Sequence, residues 1–238
     1  MIDGKAVSFS YEKETKNKTL DNISFEITKN RITTFMGKSG TGKTTLLKCL
    51  ANLNNNYEGT ITCDNFNTKE WSNQERATNI GFVFQQFHLF PHITVLQNCT
   101  QPLKTVLGYC EKQATEVAHK ILISLEMDSY KNTYPEKLSG GQQQKIAIAR
   151  SLCLNPKVMV FDEPTSSLDP ESTKQIQDLL LKLKNMGITI AISSHDMPFI
   201  KGILDRVYFL ESGKIVDFFD EQHDKINEKN KISEFLNH

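Results

Sequence analysis

The sequence has no long hydrophobic run, no excess of charge of one sign and no run of residues typical of a signal peptide. No apolar stretch approaches the roughly 20 residues that a membrane-spanning helix needs. The N-terminus lacks the basic flank and apolar stretch of a secretion signal, so we expect the chain to remain in the cytosol. Lys+Arg and Asp+Glu each total 28 of the 238 residues. Such a balanced chain is not expected to bind nucleic acid through charge.

The cysteines follow no metal-binding or disulfide spacing. They are odd in number and include no C-x-x-C pair, which argues against a zinc site or a disulfide framework. In a cytosolic protein, buried and reduced thiols are the expected state. We predict that state for Cys49, Cys63, Cys99, Cys110 and Cys153.

Two kinds of strand pattern point to an α/β fold. Residues 6–10 and 23–27 alternate apolar and polar side chains, as half-buried antiparallel strands do. Other segments are mostly apolar, which is typical of strands buried on both faces of a parallel sheet. These segments are residues 158–161, 188–192 and 207–210, and a further strand is predicted over residues 31–36, which run into a glycine-rich turn.

Helical patterns lie between those strands. Residues 114–125 carry apolar side chains at helical spacing, and this stripe is expected to pack into the core. A second such helix covers residues 176–183 and is expected to stop at Gly187. The tail from Asp220 is charged and rich in asparagine, and it is either a short surface helix or frayed. Strand and helix patterns that alternate in this way predict a parallel α/β sheet.

A phosphate-binding loop follows the strand of residues 31–36. The stretch 37–44 fits G-x-x-x-x-G-K-[ST] between a predicted strand and a predicted helix. Glycines let successive backbone N–H groups converge on phosphate, and the helix N-terminus adds partial positive charge. The lysine reaches β- and γ-phosphates and the final hydroxyl can ligate Mg²⁺. The candidate nucleotide contacts are Gly37, Lys38, Ser39, Gly40, Thr41, Gly42, Lys43, Thr44 and the adjacent Thr45.

An acidic pair follows the buried strand of residues 158–161. Asp162, at the end of that strand, can hold the hydration shell of Mg²⁺. Glu163 can accept a proton from an attacking water. An acidic pair alone would be weak evidence, since a helix cap explains it equally well. Together with the phosphate loop, it predicts a nucleoside-triphosphatase.

The segment 138–142 reads Leu-Ser-Gly-Gly-Gln, and here the sequence resembles the ATP-binding subunits of ABC transporters, whose signature is LSGGQ. The resemblance covers nearly the whole chain. Other matches occur in family order: Gln85 in the Q-loop, Asp169 in the D-loop and His195 as the switch histidine. Tyr11 matches the aromatic residue that stacks on adenine, although an aromatic near a strand end usually packs in the core.

The resemblance implies a dimer that encloses two ATP molecules. Each copy would offer its phosphate loop to one nucleotide and its signature helix to the other. A helix N-terminus with bare backbone can bind an anion, although a plain helix cap is the simpler interpretation of this segment alone. The signature residues expected to contact nucleotide are Ser139, Gly140, Gly141 and Gln142. Glu163 is the expected general base, with Gln85 and His195 as further catalytic residues and Gln85, Thr44 and Asp162 around Mg²⁺.

Residues 85–95, 138–145 and 155–158 are similar to the ATPases of polar amino-acid importers. In that family the Q-loop region receives a helix of the membrane subunit. Phe87 and Phe90 fit such a socket, or they pack inside the helical subdomain. The match is incomplete, because Thr44, Ser167 and Lys145 replace the usual serine, alanine and arginine. None of these exchanges removes a group that the chemistry needs.

The implied fold is an α/β P-loop NTPase core of the RecA-like type with a mixed sheet, an N-terminal antiparallel β subdomain and an inserted helical subdomain. We expect residues 1–92 and 156–238 to form the core and residues 93–155 the helical subdomain.

The implied partners are a second copy or paired ATPase subunit, permease subunits and, indirectly, a solute-binding protein, at the cytoplasmic face of the membrane. No coiled-coil insertion or second motif set indicates a DNA clamp or a translation factor. A nucleotide-gated regulator and an exporter ATPase stay open as alternatives.

Overall fold

The computed structural model describes residues 1–12, 18–223 and 232. This part of the chain forms ten strands and seven α-helices. The strands are β1 Ile2–Phe9, β2 Leu20–Ile27, β3 Ile32–Met36, β4 Glu58–Cys63, β5 Phe66–Asn67, β6 Ile80–Val83, β7 Val158–Asp162, β8 Thr189–Ser194, β9 Arg206–Glu211 and β10 Lys214–Asp220. The helices are α1 Lys43–Leu50, α2 Asn73–Asn79, α3 Val95–Leu107, α4 Glu111–Ser124, α5 Gly140–Leu152, α6 Pro170–Asn185 and α7 Met197–Gly202.

The strands form one antiparallel and one mixed sheet. The antiparallel sheet has the order β2-β1-β4-β5, and the other has the order β10-β9-β3-β8-β7-β6. In the second sheet all pairs are parallel except β10 with β9. Both faces of this sheet are covered, which explains the continuous apolar runs of its inner strands. The predicted fold class, with its mixed sheet and N-terminal antiparallel strands, is confirmed.

The register of the parallel strands determines where the functional segments lie. Met36 at the end of β3 pairs with Ser194 at the end of β8, and Ser193 pairs with Asp162 at the end of β7. The carboxyl ends of these three strands therefore meet at one edge. Ligand sites of open α/β sheets form at that edge.

Helices α3, α4 and α5 pack against one another beside the central sheet. Ala114, Ala118 and Leu122 line the buried face of α4, as the helical spacing predicted. The predicted second helix is α6, and Gly187 after it has a φ of 89°, the left-handed conformation that terminates helices. No helix in the described ranges is long and apolar enough to cross a membrane.

One expectation about the cysteines was wrong. All five thiols are free and four are buried, but Cys110 is exposed because it lies at the N-cap of α4 rather than on the packed face of a helix. Within the tail, Ile232 is helical and buried, and its N–H donates to Asp217 Oδ2 at 3.2 Å. The rest of the predicted tail helix lies outside the described residues.

Candidate functional site

The loop between β3 and α1 curls tightly because glycine occupies positions where a side chain does not fit. A Cβ on Gly37 would lie 2.3 Å from the Leu210 carbonyl oxygen. Gly42 has a φ of 103°, and its Cβ would lie 2.9 Å from the Thr19 carbonyl oxygen. Both positions therefore require glycine for conformation and for space. The loop leads directly into the N-terminus of α1 at Lys43.

Lys43 is almost fully buried, with its ammonium inside the loop. Nζ donates to the carbonyl oxygens of Gly37 at 2.8 Å and Lys38 at 3.0 Å. It also lies 3.2 Å from Oε1 of Glu163, which follows β7. The loop, its lysine and Glu163 are thus joined by hydrogen bonds and one ion pair. The positive charge faces the position where the loop can hold phosphate.

Asp162 is the centre of a hydrogen-bonded set at the ends of β7 and β8. Its Oδ1 accepts from the Thr44 hydroxyl at 2.8 Å and from the Ser193 hydroxyl at 2.7 Å. Asp162 and Ser193 are buried, whereas Thr44 faces the cavity. The carboxylate and the hydroxyl are therefore oriented together. Ser193 was missed in the sequence, where it gave no signal of its own.

Glu163 adopts an unusual backbone conformation beside His195. Its φ is 47°, and its N–H donates to the carbonyl and hydroxyl oxygens of Ser193, at 3.1 and 3.0 Å. Such a conformation is uncommon for a residue other than glycine and occurs often at functional sites. Oε2 lies 2.8 Å from Nδ1 of His195, whose side chain is 55% exposed. The carboxylate is thus held between an exposed imidazole and the buried ammonium of Lys43.

Lys43, Thr44, Glu163 and His195 line one cavity of about 300 Å³. Gln85 reaches it from the segment after β6, and Thr19 reaches it from the segment before β2. Thr19 was not a sequence candidate, because it lies in no recognisable motif. The complete lining is Thr19, Ser39, Gly40, Gly42, Lys43, Thr44, Thr45, Gln85, Glu163 and His195.

Tyr11 lies beside the loop rather than in the protein core. Its ring is 62% exposed and meets Phe9 edge-on, with centroids 4.9 Å apart. Its hydroxyl lies 3.2 Å from Thr45 Oγ1 in the first turn of α1. An exposed aromatic face at this position can stack on a planar ring of a ligand.

The signature segment forms the capped N-terminus of α5. Ser139 Oγ accepts from Gln142 N–H at 3.3 Å, and Gln142 Oε1 accepts from Ser139 N–H at 2.9 Å. A Cβ on Gly141 would lie 2.8 Å from Ser172 Oγ, so this tip packs against the start of α6. None of the described residues that line the cavity comes from segment 139–142.

Asp169 is also outside the cavity lining. It caps α6, with Oδ1 accepting from Ser172 N–H at 2.8 Å and Oδ2 from the Ser172 hydroxyl at 2.7 Å. The backbone hydrogen bond from Ser172 lowers the pKa of the Asp169 carboxyl below its ordinary value. Within one copy, the structure therefore brings the phosphate loop, Gln85, Glu163 and His195 together and leaves Asp169 and the signature apart.

Comparisons with known proteins agree with this geometry. A family model described as ABC transporter matches residues 20–166, which is more than half of the chain. The arginine transport ATP-binding protein ArtM of Bacillus subtilis is 43% identical over 204 residues, covering 85% of each protein. The chain belongs to the ABC transporter family. The resemblance that the motifs indicated is therefore confirmed.

Other members of the ABC family give the same result. The general L-amino acid transport ATP-binding protein AapP of Rhizobium johnstonii is 40% identical over 218 residues, covering 87% of this chain and 84% of that protein. A solved dimeric structure of the ATP-binding cassette MJ0796, in a post-hydrolysis state with ADP and Pi, matches with a TM-score of 0.82. It is 32% identical and covers 92% of this chain and 98% of that chain. The expectation of an ABC-type ATP-hydrolysing subunit is confirmed.

Proposed function

We propose that this ABC subunit hydrolyses ATP to drive the import of polar amino acids through a membrane permease. The cavity that joins the phosphate loop to Glu163 and His195 supports hydrolysis, because it places a cation, a carboxylate and an imidazole around one position. The relatives named for amino-acid transport, at 40% identity or more, support the solute class.

The backbone N–H groups of residues 37–42 and the N-terminus of α1 would hold the triphosphate. Lys43 already points into the curled loop, so its ammonium would exchange carbonyl contacts for β- and γ-phosphate oxygens. The exposed ring of Tyr11 would stack on adenine. Each of these contacts uses a group that the fold holds in place before the nucleotide arrives.

Mg²⁺ fits the donor set beside the loop. Oxygen ligands are the ones that Mg²⁺ prefers, and the hydroxyl of Thr44 is held beside the carboxylate of Asp162. Gln85, which also lines the cavity, would supply a further amide oxygen. These three side chains would hold the ion with the phosphates. When bound, Mg²⁺ neutralises charge on the phosphate oxygens.

Glu163 would take a proton from the attacking water, and His195 would hold the carboxylate and contact the γ-phosphate. The left-handed backbone of Glu163 and its hydrogen bonds to Ser193 aim the carboxylate at the cavity instead of solvent. The 2.8 Å contact to His195 fixes one carboxylate oxygen. General base catalysis of this kind contributes about 10²–10⁴-fold to a rate.

A second copy would complete the site. The tip of α5, with Ser139, Gly140, Gly141 and Gln142, would meet the γ-phosphate bound to the partner's loop, and Asp169 would lie near the same interface. The capped helix end offers backbone N–H groups and partial positive charge to an anion. A signature segment that lies outside the cavity of its own chain is consistent with action in trans.

The permease would dock on an apolar groove of about 480 Å³ between the core and helices α3 and α5. Phe90 lies in this groove and is 44% exposed. Phe87 is partly buried and packs against the hydrophobic residues of the protein interior. We assign residues 93–155, which contain α3, α4 and α5, to the helical subdomain and residues 1–92 and 156–238 to the core. The ABC subunit would thus sit at the cytoplasmic face of the membrane, and a solute-binding protein would contact the permease from the other side.

The decisive experiment purifies the ABC subunit with its membrane partner and reconstitutes both in vesicles. ATPase activity is measured with a solute-binding protein and with each amino acid in turn. We expect polar amino acids to stimulate hydrolysis and to accumulate inside the vesicles. Stimulation without accumulation would favour a nucleotide-gated regulator, and outward movement would favour an exporter.

The proposed Mg²⁺ site predicts a difference between two substitutions of one hydroxyl. Thr44→Val keeps the side-chain shape but removes the oxygen beside Asp162, whereas Thr44→Ser keeps it. We expect Val to raise the Mg²⁺ concentration for half-maximal hydrolysis about 10- to 100-fold, with Ser close to the parent. Calorimetric titration of ATP with and without Mg²⁺ gives an independent readout. Equal Mg²⁺ dependence of both variants would contradict the assignment.

A further inference from the structure

The C-terminal end of helix α5 is hydrogen-bonded to the segment that follows Gln85. Arg150, in the last turn of α5, donates from Nη2 to the Phe87 carbonyl oxygen at 2.9 Å and from Nη1 to the His88 carbonyl oxygen at 2.6 Å. The guanidinium also lies over the ring of Phe90, with 5.7 Å from Cζ to the ring centroid. One side chain therefore contacts three residues that closely follow Gln85.

The segment held in this way has a strained backbone. Phe87 has a φ of 52° and His88 a φ of 47°, so two consecutive residues other than glycine are left-handed. This conformation is costly for residues with a Cβ and persists only where surrounding contacts impose it. Phe87 N–H also donates to the Phe84 carbonyl oxygen at 3.1 Å, which closes a turn around Gln85. The Arg150 contacts are positioned to hold that turn.

The far end of the same segment is held by α3. Asn98, which is fully buried, accepts from Phe90 N–H at 2.8 Å and donates to the Phe90 carbonyl oxygen at 3.1 Å. The segment is thereby tied to two helices, α3 and α5. Lys43, Glu163 and His195, in contrast, are carried by the central sheet and the segments that leave it. Gln85 also follows a strand of that sheet, β6, but the segment after it is tied in addition to α3 and α5.

We propose that Arg150 is a positioning residue, which holds the left-handed turn at Phe87 and His88 and so sets Gln85 in the cavity. The inference rests on the proposed hydrolysis of ATP at that cavity. Because α5 begins at the signature and ends at this turn, a displacement of its tip by the partner's nucleotide would shift Gln85. The guanidinium suits this task, since its planar fork serves two acceptors at once, whereas an ammonium is a point donor.

The test measures hydrolysis by the full chain, alone and with its permease, for Arg150→Gln and Arg150→Lys. We expect Gln to lower kcat roughly 10- to 100-fold, because a small misplacement of a catalytic group has that effect. The KM for ATP should stay near the parent value, since the phosphate loop is untouched, and Lys should fall between Gln and the parent. Lys182→Gln is the matched control, because Lys182 also donates to a backbone carbonyl, that of Ser124, away from the cavity.

A second substitution separates positioning from simple loss of folding. His88→Gly in the Arg150→Gln chain removes the cost of the left-handed backbone, so we expect it to restore part of kcat. An unchanged kcat in Arg150→Gln, a change in KM alone, or no rescue by glycine would overturn the inference. A loss confined to the permease-bound form would also overturn it, by placing the effect of Arg150 in docking. The readout is ATP hydrolysis by the chain without its permease. The role of Arg150 can therefore be decided even if the protein turns out not to import amino acids.

Discussion

Glu163→Gln is expected to lower the rate of ATP hydrolysis strongly while leaving ATP binding intact. Glutamine has nearly the same shape as glutamate but cannot take the proton, so the rate should fall about 10²–10⁴-fold. The substitution also removes the negative charge that now lies 3.2 Å from Nζ of Lys43, so one ion pair no longer competes with phosphate for that ammonium. ATP bound without hydrolysis should then hold two copies together. Size-exclusion chromatography with ATP should show a stable dimer that the parent does not accumulate.

The control for this substitution is Glu116→Gln, which removes an exposed glutamate of α4 far from the acidic pair in sequence. That chain should hydrolyse ATP at the parent rate. If Glu163→Gln also hydrolysed ATP at the parent rate, the assignment of the general base would be wrong.

The second prediction with a large expected effect concerns dimerisation, and it tests whether each ATP is enclosed by two copies. Gly140→Asp places a negative charge at the tip of α5, where it would oppose the partner's γ-phosphate. The fold should accept it, because a Cβ there meets its nearest atom, Leu168 Cδ2, at 3.5 Å. An acidic residue in the first turn also suits the helix dipole. Like charges at an interface cost several kcal/mol, so ATP-dependent dimerisation should weaken by about 100-fold or more.

Mixing two defective chains tests the shared site more directly than a single substitution does. In the Glu163→Gln background, one chain carries Gly140→Asp and the other Lys43→Met. A mixed dimer then retains one intact site, formed by the loop of the first chain and the signature of the second. We expect ATP-dependent dimers with one nucleotide each, although neither chain forms them alone.

The control places both defects on one chain and pairs it with a differently tagged Glu163→Gln chain. Every site of that mixed dimer contains one defect, so ATP should not hold it together. Gly140→Asn, which adds a similar volume without charge, should weaken dimerisation less than Asp. Equal results for the two mixtures would rule out a site shared between copies.

The sequence predicted the chemistry of the site more fully than its surroundings. Lys43 was proposed as a site residue because a phosphate loop needs fixed residue types at fixed spacing after a strand, and Asp162 and Glu163 because they follow a second, buried strand. Ser193 and Thr19 were missed, since the Ser193 hydroxyl donates to the distant Asp162 and Thr19 reaches the cavity only through the folding of the chain. Serine and threonine are too common for their presence alone to indicate such a contact.

Among the strands and helices, too, those with a clear local pattern were predicted and those that depend on distant contacts were not. The parallel strands β7, β8 and β9 were predicted because burial on both faces leaves a continuous apolar run, whereas the parallel strand β6 was not predicted. The hairpin of β4 and β5 and the edge strand β10 were not predicted, and β10 alternates between exposed and partly buried residues over most of its length. Their pairing depends on neighbouring strands, which a local pattern does not contain. The exposure of Cys110 was missed for a similar reason, because it depends on the position of α4.

By itself, the sequence determined which residue types we propose to bind phosphate and to accept a proton, and which cap helix α5, because these depend on local spacing. The tertiary structure decided which of them meet. The register of β3, β7 and β8 brings Thr44, Asp162 and Ser193 within hydrogen-bond distance. The packing of α5 brings Arg150 to the segment after Gln85 and leaves the signature outside its own cavity. Contacts between distant segments depend on how strands and helices pack, and a local motif does not determine that packing.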